Sequence, residues 1–389
     1  MTVAAIIVAA GRGRRFGGEL PKQYVEIAGK PVLYRTAAAF AGHPAIDRVV
    51  VVINPADRSL YDEAVAGLDL DEPADGGASR QESVLRGLES LITDGRKAPK
   101  FVLIHDAARP FVSPALIDRV IDGLARAPCA LPALAVCDTL KRSRDGFVEQ
   151  TVDRTGLWRA QTPQGFHFNA ILEAHRQVIG LELTDDAAVA EHAGLKIALV
   201  EGDEENFKVT MTEDQERAER LLSSRLTDIR VGSGFDVHRF TDGDHVMLCG
   251  VRIAHTAALA GHSDADVGLH AITDAVLGAL GEGDIGDHFP PSDEKWRGAA
   301  SSLFLRHAAD LVAKRGGRVA HIDVTLICEA PKIGPHRDAM KARVAEILGV
   351  PPSRVSIKAT TTEHLGFTGR SEGLAAQATA TIRLPSQEN

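Results

Sequence analysis

A chain of 389 residues exceeds what one ordinary hydrophobic core organises, so two domains are the starting expectation. With 44% hydrophobic and 25% charged residues the composition is that of a globular protein, and a net charge of −9 argues against a nucleic-acid partner, whose signature is a basic surface. Four scattered cysteines without a Cys-x-x-Cys pair, no apolar run near the ~18 residues of a membrane span, and an N-terminus without a signal-peptide cleavage site together predict a cytoplasmic protein with no membrane partner.

In chain order, Val3–Ala10 reads as a buried strand, followed by the glycine- and cation-rich stretch "AAGRGRRFGGELPKQY". Helix Leu33–Ala41, strand Val49–Ile53, helix Arg80–Leu91, strand Phe101–His105 and helix Pro114–Ala125 come next, then helix Asp185–His192 and strand Lys196–Val200. This alternation predicts an α/β domain with a parallel, Rossmann-like sheet. The stretch "DTLKRSRDGFVEQTVDRTGLWRAQTP" breaks the pattern; polar and rich in turn residues, it predicts a protruding β-hairpin arm. "TEDQERAERLLSSRL" is a charged helix ending near Leu226, and "TDIRVGSGFDVHRF" starts a fresh strand. The expected domains are therefore 1–226 and 229–389, the second also α/β.

The opening glycine stretch matches neither common phosphate fingerprint. Gly11-x-Gly13 is followed by Gly17, one residue late for a dinucleotide loop, and the Walker Lys-Ser/Thr is absent. The physics still suits phosphate: glycines let backbone N–H groups approach an anion, and Arg12, Arg14, Arg15 and Lys22 supply positive charge. A solvated basic turn is the alternative. Gly76 and Gly77 precede a helix start bearing Arg80 and Ser83. His105, Asp106 and Arg109 sit at the C-terminal end of a strand, where open parallel sheets bind ligands. For Asp106 a metal ion, a ribose hydroxyl and a turn cap are all open roles.

In the second half, Asp236-x-His238 puts a carboxylate and an imidazole on one face of a strand. "GHSDADVGLHAITDAVLGAL" adds His262, Asp264, Asp266 and His270 ahead of a helix. Asp236, His238 and His270 would make a three-ligand zinc site with an open fourth position, the catalytic type; a hydrogen-bonded Asp–His pair is the alternative.

Seven motifs occur in order over the first 210 or so residues: "AAGRGRRFGGELPKQY", "GGASRQESV", "HDAARPF", "DTLKR", "TGLWRAQTPQGF", "TDDAA" and "NFKVTMTEDQ". Together they resemble 2-C-methyl-D-erythritol 4-phosphate cytidylyltransferases. "GSGFDVHRF", "GHSDADVGLHA", "GDIGDHFPPSD", "APKIGPHRDAM" and "KATTTEHLGFTGRSEG" resemble 2-C-methyl-D-erythritol 2,4-cyclodiphosphate synthases. The first resemblance implies CMP transfer from CTP to a methylerythritol phosphate, releasing pyrophosphate. It assigns Arg15 and Lys22 to the reacting phosphates, and Gly11, Gly13, Gly77, Arg80, Ser83 and Asp106 to the nucleotide with Mg2+ or Mn2+. Arg109, Thr162 and Lys208 fall to the second substrate, and Arg154 on the arm to a partner's substrate phosphate. Without the motif context, Arg154 and Lys208 read as ordinary surface cations.

The second resemblance implies cyclisation of a diphosphocytidyl methylerythritol phosphate with loss of CMP. It assigns Zn2+ to Asp236, His238 and His270, and a second divalent ion, Mg2+ or Mn2+, to Glu363. His262 and Ser263 would meet the erythritol phosphate and Asp284 and Gly286 its hydroxyls. Lys332, Thr360, Thr361 and Thr362 would cradle the cytidine diphosphate, and Phe367 and Arg370 the substrate, Arg370 being open to a structural role. Two departures stand out. Ala78 occupies a position that can be polar in relatives, which leaves base recognition there to the backbone. Pro290–Pro291 replaces an acid found in some relatives, leaving Asp293 open. Dimeric contacts in one family and trimeric in the other imply a homo-oligomer, with a hexamer as its expected closed form. A kinase step separates the two reactions, so association with that kinase is a further expectation, and direct channelling is not implied.

Overall fold

The computed structural model describes residues 2–11, 20–93, 95–181, 183–261, 263–290 and 292–386. It divides into two compact units, residues 1–221 and 222–389.

The first unit is built around strand Val3–Val8, whose Ala4 to Ile7 are wholly inaccessible to solvent. Its neighbours Arg48–Ile53 and Phe101–Asp106 both run parallel to it. The uninterrupted apolar run follows from coverage of both sheet faces. Val3, Ala5 and Ile7 pack with Leu33, Phe40 and Ile117 on one face, while Ala4 and Ile6 pack with Val84, Leu88 and Ile171 on the other. Burying each isoleucine stabilises the fold by roughly 1.5–3 kcal/mol.

The sheet is not wholly parallel, as the alternation of elements predicted. Gln164–His167 runs antiparallel to both Phe101–Asp106 and Cys129–Ala135, and Ile197–Glu201 pairs in parallel with the latter. Neither Cys129–Ala135 nor Gln164–His167 is legible as a strand. Pro132 and three alanines weaken the first, and the second is only four residues long. The arm is present as a separate two-stranded antiparallel hairpin, Leu140–Arg144 with Phe147–Val152, whose Phe147 is 79% exposed.

The second unit has a five-stranded sheet in the order Ala258–Leu259, Asp228–Thr241, Gly373–Leu384, Arg318–Ile327, Val355–Thr360. Only the last pair is parallel. Helix Val267–Leu280 crosses the two long central strands and is covered by helix Ser301–Lys314, so it is apolar nearly all round. Asp266 caps it by accepting from Gly268 N and Leu269 N, and Gly281 ends it in the left-handed conformation at φ 72°. The helix lies against the strand backbone at two glycines. A Cβ on Gly232 would fall 2.1 Å from the Ala275 carbonyl oxygen, and one on Gly234 2.1 Å from that of Ala271. The "GSG" ahead of Asp236 is therefore a contact surface. Among the described residues no helix is long and apolar enough to cross a membrane.

Gly234→Ala must push helix and strand apart and should lower the stability of the C-terminal unit by about 2–3 kcal/mol. Chemical unfolding followed by circular dichroism measures this; an unchanged midpoint would contradict the close approach.

Candidate functional site

In the N-terminal unit, the parallel strands end at a cavity of about 450 Å3. Gly11, Lys22, Gly77, Arg80, Ser83, Asp106 and Lys208, all candidate site residues, line it. Gly13 and Arg15 lie outside the described residues. Asp106 is the electrostatic focus: Lys208 Nζ is 2.7 Å from its Oδ2, Arg80 Nε is 3.6 Å from Oδ1, and Arg109 Nε is 3.8 Å from Oδ2. Burial works to raise the Asp106 pKa, but Lys208, Arg80 and Arg109 overrule it and hold the carboxyl well below the usual range. With Asp186, whose Oδ2 is 2.6 Å from Arg80 Nη2, two carboxylates face these three cations, which leaves net positive charge at the cavity, suited to an anionic ligand.

The glycine turn is held from within. Ser83 Oγ donates to Ser79 O at 2.8 Å and accepts from Gly77 N at 3.0 Å. At Ala78, where the sequence leaves base recognition to the backbone, the structure engages one of the two backbone groups. The Ala78 N–H donates to Glu82 Oε2 at 2.7 Å, because a carboxylate four residues on caps the exposed amide. Gln23, missed in the sequence, is 2% exposed and ties the start of the loop by donating to Ala9 O and Gly11 O. Its only sequence signal is its place beside Lys22.

Arg109 donates to the Asn206 carbonyl at 2.8 Å, and Asn206 Nδ2, fully buried, donates to Thr162 O. Thr162 is itself buried, and its hydroxyl accepts from the Asp106 amide at 3.2 Å and meets His105 Nδ1 at 3.1 Å. His105 Nε2 is 3.0 Å from the Arg109 carbonyl oxygen, which only accepts. The proton is therefore on Nε2, and Thr162 donates to Nδ1. Neutral His105 thus locks Asp106, Arg109 and Thr162 into one network. Arg154 is exposed beyond the arm and does not line the cavity.

In the C-terminal unit, Asp236, His238 and His270 converge, with one ligand atom from each within 4.8 Å of the others. Asp236 Oδ2 is 3.0 Å from His238 Nε2 and 2.9 Å from His270 Nδ1, and these two nitrogens are 3.1 Å apart. The far nitrogens explain the convergence. His238 Nδ1 donates to Ala260 O at 2.9 Å, and His270 Nε2 donates to Ser301 Oγ at 2.8 Å, Ser301 in turn donating to Asp264. Each imidazole then turns a lone pair toward Asp236, the outer arrangement typical of a metal-ligating histidine. Burial works to raise the Asp236 pKa, but the two imidazoles outweigh it and lower it; burial works against charge on His238, yet Asp236 raises its pKa. Ser301, fully buried, was not legible because it lies 31 residues from His270.

Of the other C-terminal candidates, Ser263 touches this cluster and the rest of those described lie outside the three-ligand group. Ser263 Oγ is 3.1 Å from His270 Nε2, and His262 lies outside the described residues. Asp284 caps the short helix Ile285–His288, on which Gly286 lies. Thr361 Oγ1 donates to Glu363 at 2.8 Å, and Thr360 and Thr362 hydroxyls are spent on the backbone of the same turn. Glu363 is outside the three-ligand group, Lys332 is exposed, Phe367 is 37% exposed, and Arg370 pairs with Glu372 at 2.9 Å.

Residues 3–224 match the family model of 2-C-methyl-D-erythritol 4-phosphate cytidylyltransferase, IspD, and residues 229–383 that of the YgbB family. The "Bifunctional enzyme IspD/IspF" of Rhodospirillum rubrum is 61% identical over 98% of this chain and 99% of its own. The chain belongs to the bifunctional IspD/IspF family. The enzyme of the same description from Paramagnetospirillum magneticum is 61% identical over 98% of both chains. The crystal structure of 4-diphosphocytidyl-2C-methyl-D-erythritol synthase from Anaerococcus prevotii is similar with a TM-score of 0.50 and 28% identity, over 57% of this chain and 98% of its own. Like its family, this IspD/IspF chain is an enzyme of isoprenoid biosynthesis that joins a cytidylyltransferase to a cyclodiphosphate synthase.

Burial pushes the His105 pKa from its ordinary 6.5 down to about 4. The unfolded chain then binds the proton first, so this residue's contribution is complete above pH 6.5 and is lost as pH falls toward 4. Full loss amounts to about 3 kcal/mol. Urea unfolding of the N-terminal unit between pH 7 and 5 should lose stability more steeply in the natural protein than in His105→Gln; parallel slopes would refute this.

Proposed function

We propose that the N-terminal cavity holds CTP and a methylerythritol phosphate in line, and that the Asp236–His238–His270 centre closes the later cyclic diphosphate. The functional boundary is proposed between Leu226 and Ile229. In the first reaction a substrate phosphate oxygen attacks the α-phosphorus of CTP, the bond from that phosphorus to the bridging oxygen breaks, and pyrophosphate leaves. The attacking oxygen is already anionic, so no strong base is needed. What needs stabilising is charge on the five-coordinate phosphorus. Lys22, with Arg15, faces that charge; Arg80, Ser83 and the amides of Gly11, Gly13 and Gly77 hold the nucleotide. Arg109, Thr162 and Lys208 hold the acceptor, joined by Arg154 from a partner's arm. Mg2+ or Mn2+ at Asp106 supplies charge neutralisation between phosphates when bound. The observation that carries this reading is the convergence of Lys208, Arg80 and Arg109 on Asp106 at the strand ends.

In the second reaction the 2-phosphate oxygen attacks the β-phosphorus of the cytidine diphosphate group, the bond to the CMP oxygen breaks, and CMP leaves. The N2O donor set of Asp236, His238 and His270 suits Zn2+, which supplies Lewis acidity toward the β-phosphate. Glu363 holds a Mg2+ or Mn2+ ion through a hard oxygen. His262 and Ser263 position the erythritol phosphate, Asp284 and Gly286 the hydroxyls, and Lys332 with Thr360–Thr362 the cytidine and its phosphates. Phe367 and Arg370 complete the pocket.

Homo-oligomerisation fits two exposed apolar surfaces. The outward face of strand Asp228–Thr241 presents Ile229, Val231 and Phe235, each about 60% exposed, and the arm presents Phe147 and Val148. A second copy covering each face would join dimeric and trimeric contacts into a closed six-chain particle.

Phosphorus NMR of the purified chain with CTP, methylerythritol phosphate and Mg2+ should show the cytidine diphosphate product and pyrophosphate but no cyclic diphosphate. Cyclic product should appear only when an external kinase and ATP are added; cyclisation without them would overturn the proposed order. Lys22→Ala should lose about 3–5 kcal/mol of transition-state stabilisation in the first step and leave the second unchanged. His270→Ala should lose bound zinc by elemental analysis and abolish cyclisation alone. Retention of a full zinc complement would remove His270 from the centre.

A further inference from the structure

The "TDDAA" stretch has no part in the chemistry above, and its two carboxylates do different work. Asp185 caps helix Asp186–His192, accepting from Ala188 N at 2.9 Å and from Gln164 Nε2 at 2.7 Å. Asp186 faces inward. It is wholly buried, its Oδ2 accepts from Arg80 Nη2 at 2.6 Å, and its Oδ1 lies 3.3 Å from Nε2 of His175, which is also wholly buried. Arg80 is 31% exposed, lines the nucleotide cavity, and turns its Nε toward Asp106. A charged pair reaching from the core to a cavity wall is a costly way to fill space, since apolar groups of the same volume do so as well or better. What an ion pair adds is direction: a carboxylate fixes the plane of a guanidinium, whose donors form a rigid fork.

We propose that Asp186, backed by His175, is a positioning residue that aims the Arg80 guanidinium at the anionic oxygens of the nucleotide. Asp186 takes one Nη of Arg80 and leaves the rest of the fork on the cavity side, beside Asp106. Arg80 thereby enters the binding event already ordered, so the cost of immobilising a long side chain is met during folding. This inference rests on the reading of Arg80 as a nucleotide-binding residue.

Steady-state kinetics of the full chain, with CTP varied at saturating methylerythritol phosphate, test it. Asp186→Asn keeps the volume and removes the charge. It should raise KM for CTP on the order of tenfold with kcat within about threefold, as should Arg80→Ala. The double variant should be no worse than Arg80→Ala alone, because Asp186 acts only through Arg80. Multiplying effects, or a fall in kcat with KM unmoved, would overturn the proposal. If Arg80→Ala raises KM and Asp186→Asn does not, the positioning role fails while the nucleotide role of Arg80 stands. If Arg80→Ala leaves KM unchanged, both fall. Should Asp186→Asn fail to fold, Arg80→Lys reads the same geometry. Lysine keeps the charge without the fork, so KM should match that of Arg80→Ala, and a natural KM would overturn the proposal.

Discussion

The C-terminal centre depends on how closely one helix approaches one strand. His270 reaches Asp236 and His238 only because helix Val267–Leu280 lies on the strand backbone, and it lies there only because Gly232 and Gly234 carry no side chain. Asp266 sets the start of that helix and hence its rotation. Ala260 and Ser301 then turn the two imidazoles so that their lone pairs meet Asp236. Two missing methyl groups, one cap and two outer hydrogen bonds are what bring the distant His270 to the Asp236–His238 pair as one candidate donor set.

The N-terminal site rests on a different constraint, the burial of unbalanced charge. Asp106 sits at the end of a strand with Lys208, Arg80 and Arg109 around it. Asp106 and the buried Asp186 behind Arg80 together leave one of these three cations unbalanced, and such a surplus suits an anionic ligand. Uncharged or interior groups secure the arrangement from behind. His105 stays neutral because it is buried, and Asn206 and Gln23 spend their amides on backbone carbonyls. Rigidity of this kind suits electrostatic catalysis, where the charges must be in place before the transition state forms.

Much of this organisation is legible along the chain. The parallel strands at Val3, Val49 and Phe101 announce themselves by apolar runs, the arm by its polar turns, and the ligand set by Asp236-x-His238 with a later His270. Strand Cys129–Ala135 does not, because Pro132 and its alanines imitate a loop; its strand character comes from pairing on both edges. The bond from the Ala78 amide to Glu82 is silent for a similar reason, since nothing in the local sequence says that Glu82 will fold back on it.

The sequence by itself determined the chemical inventory: which residue types are present, at which strand ends and helix starts, and in which of two families' order. Local periodicity and spacing carry that information because they act over a few residues. Only the tertiary structure decided which of those residues meet, and which silent ones serve them. Asp186 lies 106 residues from Arg80, Ser301 lies 31 from His270, and Asn206 lies 97 from Arg109. Contacts of that separation follow from how helices and sheets pack, so no short stretch of the chain encodes them.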